Sequence, residues 1–125
     1  VLYEGPFAVL VEAGIPKEQI KRLDAPGSFE LPVAASIALK KDPNLDAVIT
    51  LGCIVQGETR HFEFIAQAVA QGIMQVGLDH NKPVIFGVLT PDTDQQAADR
   101  AGGKYGNKGA EAAVAALEMI DLSRS

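Results

Sequence analysis

The chain has 125 residues, 47% hydrophobic and 22% charged, with a net charge of −5; these values suit one soluble globular domain, residues 1–125, with a buried core. The acidic balance argues against nucleic acid or an anionic membrane as partner, and the single cysteine, Cys53, excludes a disulfide framework and a thiolate zinc site. No signal peptide and no apolar run long enough to span a bilayer is visible, so the cytoplasm is the expected compartment.

Leu2, Phe7, Leu10 and Val11 fall on one helical stripe that Gly14 and Pro16 stop, which predicts a helix starting near Tyr3–Gly5 and ending at Ala13. Glu18 to Asp24 reads as a short edge strand, with Ile20 and Leu23 apolar. Pro26-Gly27-Ser28 is a turn, and Phe29 to Lys41 a helix with Phe29, Pro32, Val33, Ile37 and Ala38 available for its inner face. Asp46 to Val55 is a β-branched and aliphatic run of the kind that forms a buried parallel strand, with Cys53 as a small buried hydrophobe within it. A helix follows from Thr59 to about His80, carrying Phe64, Ile65, Ala68, Val69, Gly72 and Val76 at helical spacing. Val84 to Leu89 is a second buried strand, Thr93 to Ala101 a short helix, Gly102 to Asn107 a loop, and Lys108 to about Leu122 an Ala-rich final helix.

Strands alternating with helices predict an α/β protein: a three-layer, flavodoxin-like parallel sheet with right-handed crossovers and helices on both faces. The chemistry is expected where the Asp46–Val55 strand ends. Gln56, Gly57 and Glu58 make a turn there and Thr59 enters a helix, so backbone N–H groups face a crevice at the sheet's carboxyl edge, where an anion is favoured. His61 stands in that helix's first turn, beside the anion site, as a titratable proton shuttle. A nucleotide P-loop is excluded, because no Gly-Lys-Ser/Thr sequence follows a strand.

Four stretches carry a family resemblance: PGSFELP from Pro26, GCIVQGETRHFEF from Gly52, PVIFGVLTPDT from Pro83, and DRAGGKYGNKGAEAA from Asp99. Together, in this order and spacing, they resemble lumazine synthase, a transferase of riboflavin biosynthesis, over about Leu2 to Leu122. The resemblance implies condensation of a ribitylamino-pyrimidinedione with a four-carbon dihydroxybutanone phosphate, releasing phosphate and water, with no metal and no cofactor. It also implies a homo-oligomer, with active sites between neighbouring subunits of a pentamer, twelve pentamers forming an icosahedral shell in many members, and riboflavin synthase as a candidate partner.

Residue by residue, the resemblance makes His61 the proton-transfer group and places the phosphate on Gly57, Glu58 and Thr59, with Arg100 reaching it from the adjacent subunit. Thr59 can equally serve as an ordinary N-cap, and Arg100 as a solvated helix-face charge. Ser28, Phe29 and Glu30 match the stretch that binds the ribityl chain and pyrimidine, with Phe29 equally open to a core role. Ile54 and Val55 would line the heterocycle's pocket. Phe86 and Lys108 match positions supplied by the neighbouring subunit, Lys108 hydrogen-bonding a ring carbonyl. Asp99 and Lys104 would support Arg100 by charge pairing, or form a solvated pair of little weight. His80 is assigned no function.

The family has a strand ahead of the opening helix, ending in an aromatic residue that stacks on the pyrimidine, and nothing in Val1 to Pro6 matches it. The expectation is that the first strand is missing because the chain begins downstream of the natural N-terminus. Two competing readings follow: a catalytically impaired shell or scaffold subunit of the same fold, and a generic flavodoxin-like binder of phosphate ligands.

Overall fold

A computed structural model describes residues 3–54, 61–89, 101–103 and 106–125. Helix α1 (Glu4–Glu12) tolerates Pro6 in its first turn and ends at Gly14, whose φ of 95° lies in the left-handed region. Helix α2 (Leu31–Lys41) is entered through a 3₁₀ turn, Ser28–Glu30, and has Pro32 at its start. Strand β1 (Val48–Cys53) is followed by helix α3 (His61–His80) and strand β2 (Val84–Leu89). Strands β3 (Ala101–Gly103) and β4 (Gly106–Asn107) pair antiparallel, and helix α4 (Lys108–Arg124) ends the chain.

The parallel arrangement is present with fewer strands than expected. β1 and β2 pair in parallel from Val48 opposite Val84 to Cys53 opposite Leu89, and this is the whole sheet among the described residues apart from the β3–β4 ribbon. Alternation along the strands separates two faces. Val84 and Val88 meet Val69 and Ile73 of α3, joined by Ile54 just beyond β1. Gly87 points the other way, where an added Cβ would meet Ala112 of α4. α2 packs on α3, and α1 on α4, so helices cover both faces. Thr50 is buried, and its hydroxyl donates to the Ile85 carbonyl at 2.7 Å, tying the strands together beyond the ladder. Thr50→Val keeps the shape and removes this bond; urea unfolding should show a loss of about 1 kcal/mol.

The predicted strand over Glu18 to Asp24 is not formed. Lys17–Gln19 is a 3₁₀ turn, and residues 20–25 run on without a ladder. Extended backbone becomes a strand only with a partner alongside, and here both this segment and β1 line an open groove of 1470 Å³. The segment is instead held by side chains. Lys21 Nζ reaches Asp42 Oδ2 at 3.0 Å, and the Arg22 guanidinium lies 4.6 Å from the Tyr3 ring centre. The Lys21 hydrogen bond, then the Asn44 backbone N–H, holds the Asp42 carboxyl below its ordinary value.

Three further expectations are corrected. The buried residues of α2 are Ala35, Ala38 and Leu39, while Phe29, Val33 and Ile37 face outward, Val33 63% exposed. Small side chains let α2 approach closely: a Cβ on Gly72 of α3 would stand 2.8 Å from Pro32 Cγ. Cys53 is exposed, not buried, because it ends β1 at the sheet's rim. Ala101 belongs to β3, and the loop expected over Gly102 to Asn107 contains the β3–β4 pairing; residues 93–100, assigned to a short helix, lie outside the described residues. No helix among the described residues is long and apolar enough to cross a membrane.

Candidate active site

Three helices begin at one end of the sheet. α3 starts after β1 and ends where Asn81 and Lys82 lead into β2, so it runs antiparallel to the strands, with Lys82 Nζ bonded to the Leu45 carbonyl at 2.8 Å at the far end. α4 places Ala112 beside Gly87, and its last residue, Arg124, pairs at 3.1 Å with Asp46 just before β1. α2 opens beside Gly52, since a Cβ there would meet Leu31 Cδ1 at 3.1 Å. The N-termini of α2, α3 and α4 therefore all lie toward the carboxyl ends of β1 and β2. In an open parallel sheet this is the edge where ligands bind, and each helix start offers unpaired N–H groups and a partial positive charge.

The Ser28–Glu30 turn is seated on the end of β1. Ser28 Oγ donates to the Cys53 carbonyl at 3.4 Å, Glu30 N–H closes on the Gly27 carbonyl at 3.2 Å, and α3 packs against the turn. The N–H groups of Ser28 and Phe29, like those of any helical first turn, have no partner within it. Phe29 is 59% exposed, which takes it out of this chain's core and leaves it open to a ligand or a neighbouring copy. Ile54 continues the ladder, its N–H donating to the Leu89 carbonyl at 2.8 Å, and is buried against Val69, Ile73 and Val88. Phe62 and Ile65 pack on that cluster, which anchors the first turn of α3 and leaves His61 exposed at its start. Ser28, Phe29, Glu30, Ile54 and His61 thus gather at one edge.

Two other expected residues stand apart from this group. Phe86 is opposite Thr50 in mid-β2, about 10 Å short of the strand's end. Lys108 opens α4 on the opposite face of the sheet from α3, with Nζ 3.3 Å from Glu111. Val55, Gly57, Glu58, Thr59, Asp99, Arg100 and Lys104 lie outside the described residues. His80 occupies the far end of α3, roughly 30 Å along the helix from His61, with Nε2 3.3 Å from Ser36 Oγ. Gly52 is the residue that reasoning from the sequence passed over; its only signal there is a glycine inside a β-branched and aliphatic run.

The family model for 6,7-dimethyl-8-ribityllumazine synthase matches residues 1–124. Proteins named 6,7-dimethyl-8-ribityllumazine synthase align over nearly the whole chain. That of Cytophaga hutchinsonii is 60% identical over 120 residues, covering 95% of this chain and 74% of the relative. That of Porphyromonas gingivalis is 50% identical, covering 98% and 76%, and that of Thermus thermophilus 46%, covering 98% and 77%. An α/β chain with this carboxyl-edge site and these matches belongs to the 6,7-dimethyl-8-ribityllumazine synthase family.

Proposed function

We propose that the chain condenses 5-amino-6-ribitylamino-2,4(1H,3H)-pyrimidinedione with 3,4-dihydroxy-2-butanone 4-phosphate, forming 6,7-dimethyl-8-ribityllumazine, phosphate and water in riboflavin biosynthesis. The observation that carries the reading is the meeting of the Ser28–Glu30 turn, Ile54 and His61 at the carboxyl edge of β1. Backbone donors of the turn suit the pyrimidine and ribityl oxygens, and Phe29, Ile54 and Val55 suit the flat ring. The aromatic amine attacks the ketone and water leaves as the imine forms. Loss of a proton next to the imine then expels phosphate, the resulting enol becomes a ketone, and attack on it by the ribityl-bearing nitrogen with loss of a second water closes the ring. Each step moves a proton, which is the task given to His61. Gly57, Glu58, Thr59 and Arg100 take the phosphate, a helix N-terminus and a forked cation being suited to its oxygens; Asp99 and Lys104 support Arg100.

Phe86 and Lys108 act on a neighbouring copy's substrate, a role favoured by their placement away from the Ser28–His61 group. The working form is a pentamer, with a 60-subunit shell as the larger assembly and riboflavin synthase as the partner that consumes its product. Self-association is supported by Phe29, Val33, Ile37, Phe64 and Leu78, which leave large apolar side chains of the α2–α3 layer in water.

The test is turnover with both substrates, followed by lumazine fluorescence, with particle mass measured in parallel. Arg100→Ala should keep its mass and raise KM for the butanone phosphate by about 10- to 100-fold, the worth of a lost charge-assisted bond. An assembled particle that makes no lumazine would replace this reading with the scaffold subunit.

A further inference from the structure

We propose that Gly52 is a positioning residue that sets the height of the pyrimidine-binding turn against the proton-transfer half of the site, an inference resting on the function proposed above. The two halves come from different parts of the chain. Ile54 and His61 follow β1 directly, whereas Ser28, Phe29 and Glu30 arrive at the start of α2 and must be docked onto the strand end. Gly52 lies under that docking point. A Cβ at this position would stand 2.8 Å from Ser28 Oγ and 3.1 Å from Leu31 Cδ1, but 3.6 Å from Ser28 Cβ.

The first distance decides the effect. Leu31 Cδ1 is the end of a flexible side chain and can yield by a few tenths of an ångström. Ser28 Oγ is one bond from its Cβ and is held by the Cys53 carbonyl at 3.4 Å. It can escape only by rotating, which breaks the tie to β1, or by lifting the whole turn. The first unties the turn from the strand end, and the second lifts its N–H groups relative to Ile54 and His61. Misplacement by a fraction of an ångström is costly in a site that must align two reactants.

The geometry also supplies a rescue. With Ser28 reduced to alanine the contact at 2.8 Å no longer exists, and what remains is the yielding Leu31 methyl at 3.1 Å and an ordinary contact at 3.6 Å. The experiment is a double-mutant cycle of Gly52→Ala and Ser28→Ala on the assembled enzyme, with KM measured for each substrate separately. Gly52→Ala should raise KM for the pyrimidine substrate about tenfold and leave KM for the butanone phosphate within about twofold. The double variant should return to within about twofold of Ser28→Ala alone, a non-additivity expected of residues in contact and absent between distant, independent sites. A merely structural glycine would lower the unfolding midpoint without separating the two KM values.

Lumazine formation by the unsubstituted chain, with unchanged pyrimidine KM in Gly52→Ala, would overturn the inference while leaving the proposed function in place. So would a double variant whose effect equals the product of the two single effects. No lumazine from the unsubstituted chain would overturn the proposed function and this inference with it. If Gly52→Ala does not fold, Ser28→Ala and the double variant decide: pyrimidine KM values within about twofold support the role, and a tenfold higher value in the double rejects it.

Discussion

His61→Ala is expected to lower kcat for lumazine formation by about 10²- to 10³-fold, with particle mass and both KM values changing far less. The expectation follows from where the residue stands. Phe62 and Ile65 are fastened to the Ile54–Val69–Ile73–Val88 cluster, so the first turn of α3 is fixed by packing beside an exposed imidazole. Removing that ring leaves the packing of Phe62 and Ile65 intact and takes away the group proposed to relay protons during imine formation, phosphate loss and ring closure. His61→Gln separates proton transfer from hydrogen bonding. Glutamine can donate and accept but does not titrate, so it should be as slow as alanine. Near-normal kcat in His61→Gln would assign the residue to substrate orientation, and near-normal kcat in His61→Ala would remove it from the chemistry.

The elements with unambiguous stop signals were legible in the sequence. Gly14 with Pro16 bounded α1, Lys82-Pro83 opened β2, and the alanine-rich run from Lys108 became α4. What failed was the assignment of apolar residues to a face. Phe29, Val33 and Ile37 form an i, i+4, i+8 stripe, the usual mark of a core-facing side. Yet α2 meets its own chain through Ala35, Ala38 and Leu39. A second, bulkier stripe on a helix suits contact with another copy, and a lone sequence does not say which stripe turns inward. The segment after Lys17–Gln19 failed for a related reason, since strand propensity does not supply a partner strand. Of the residues its motifs singled out as a candidate site, the fold gathers Ser28, Ile54 and His61 at one edge. The roles proposed for Phe86 and Lys108 call on a neighbouring subunit, so no reading of one chain assembles them with the rest. Gly52 escaped notice because its contribution is the space it leaves, and space shows only when the Ser28 turn is folded over it.

Gly87→Ala should be the most destabilising single-methyl change in the chain's parallel sheet, lowering the unfolding free energy by about 3 kcal/mol. The added Cβ would lie 2.6 Å from the Thr50 carbonyl oxygen, 3.0 Å from Leu51 Cδ2 and 3.2 Å from Ala112 Cβ. The Leu51 methyl can turn aside. The Thr50 oxygen cannot, because it belongs to the backbone of the paired strand, and moving it opens the register that runs from Val48–Val84 to Cys53–Leu89. Ala112 closes the other escape, since α4 is held from above by α1. A loss of this size is a large fraction of the roughly 5–15 kcal/mol that stabilises a domain. Gly14→Ala is the control for a glycine required by backbone conformation alone: φ is 95° and nothing lies within 4 Å of its added Cβ. It should cost about 1 kcal/mol, the left-handed penalty without a steric one. Urea midpoints of the two variants give the comparison. Gly87→Ala at or below the Gly14→Ala loss would mean that β1 and β2 can part far enough to admit a methyl group. The same slack would then weaken the case for Gly52, two residues before the site on the neighbouring strand.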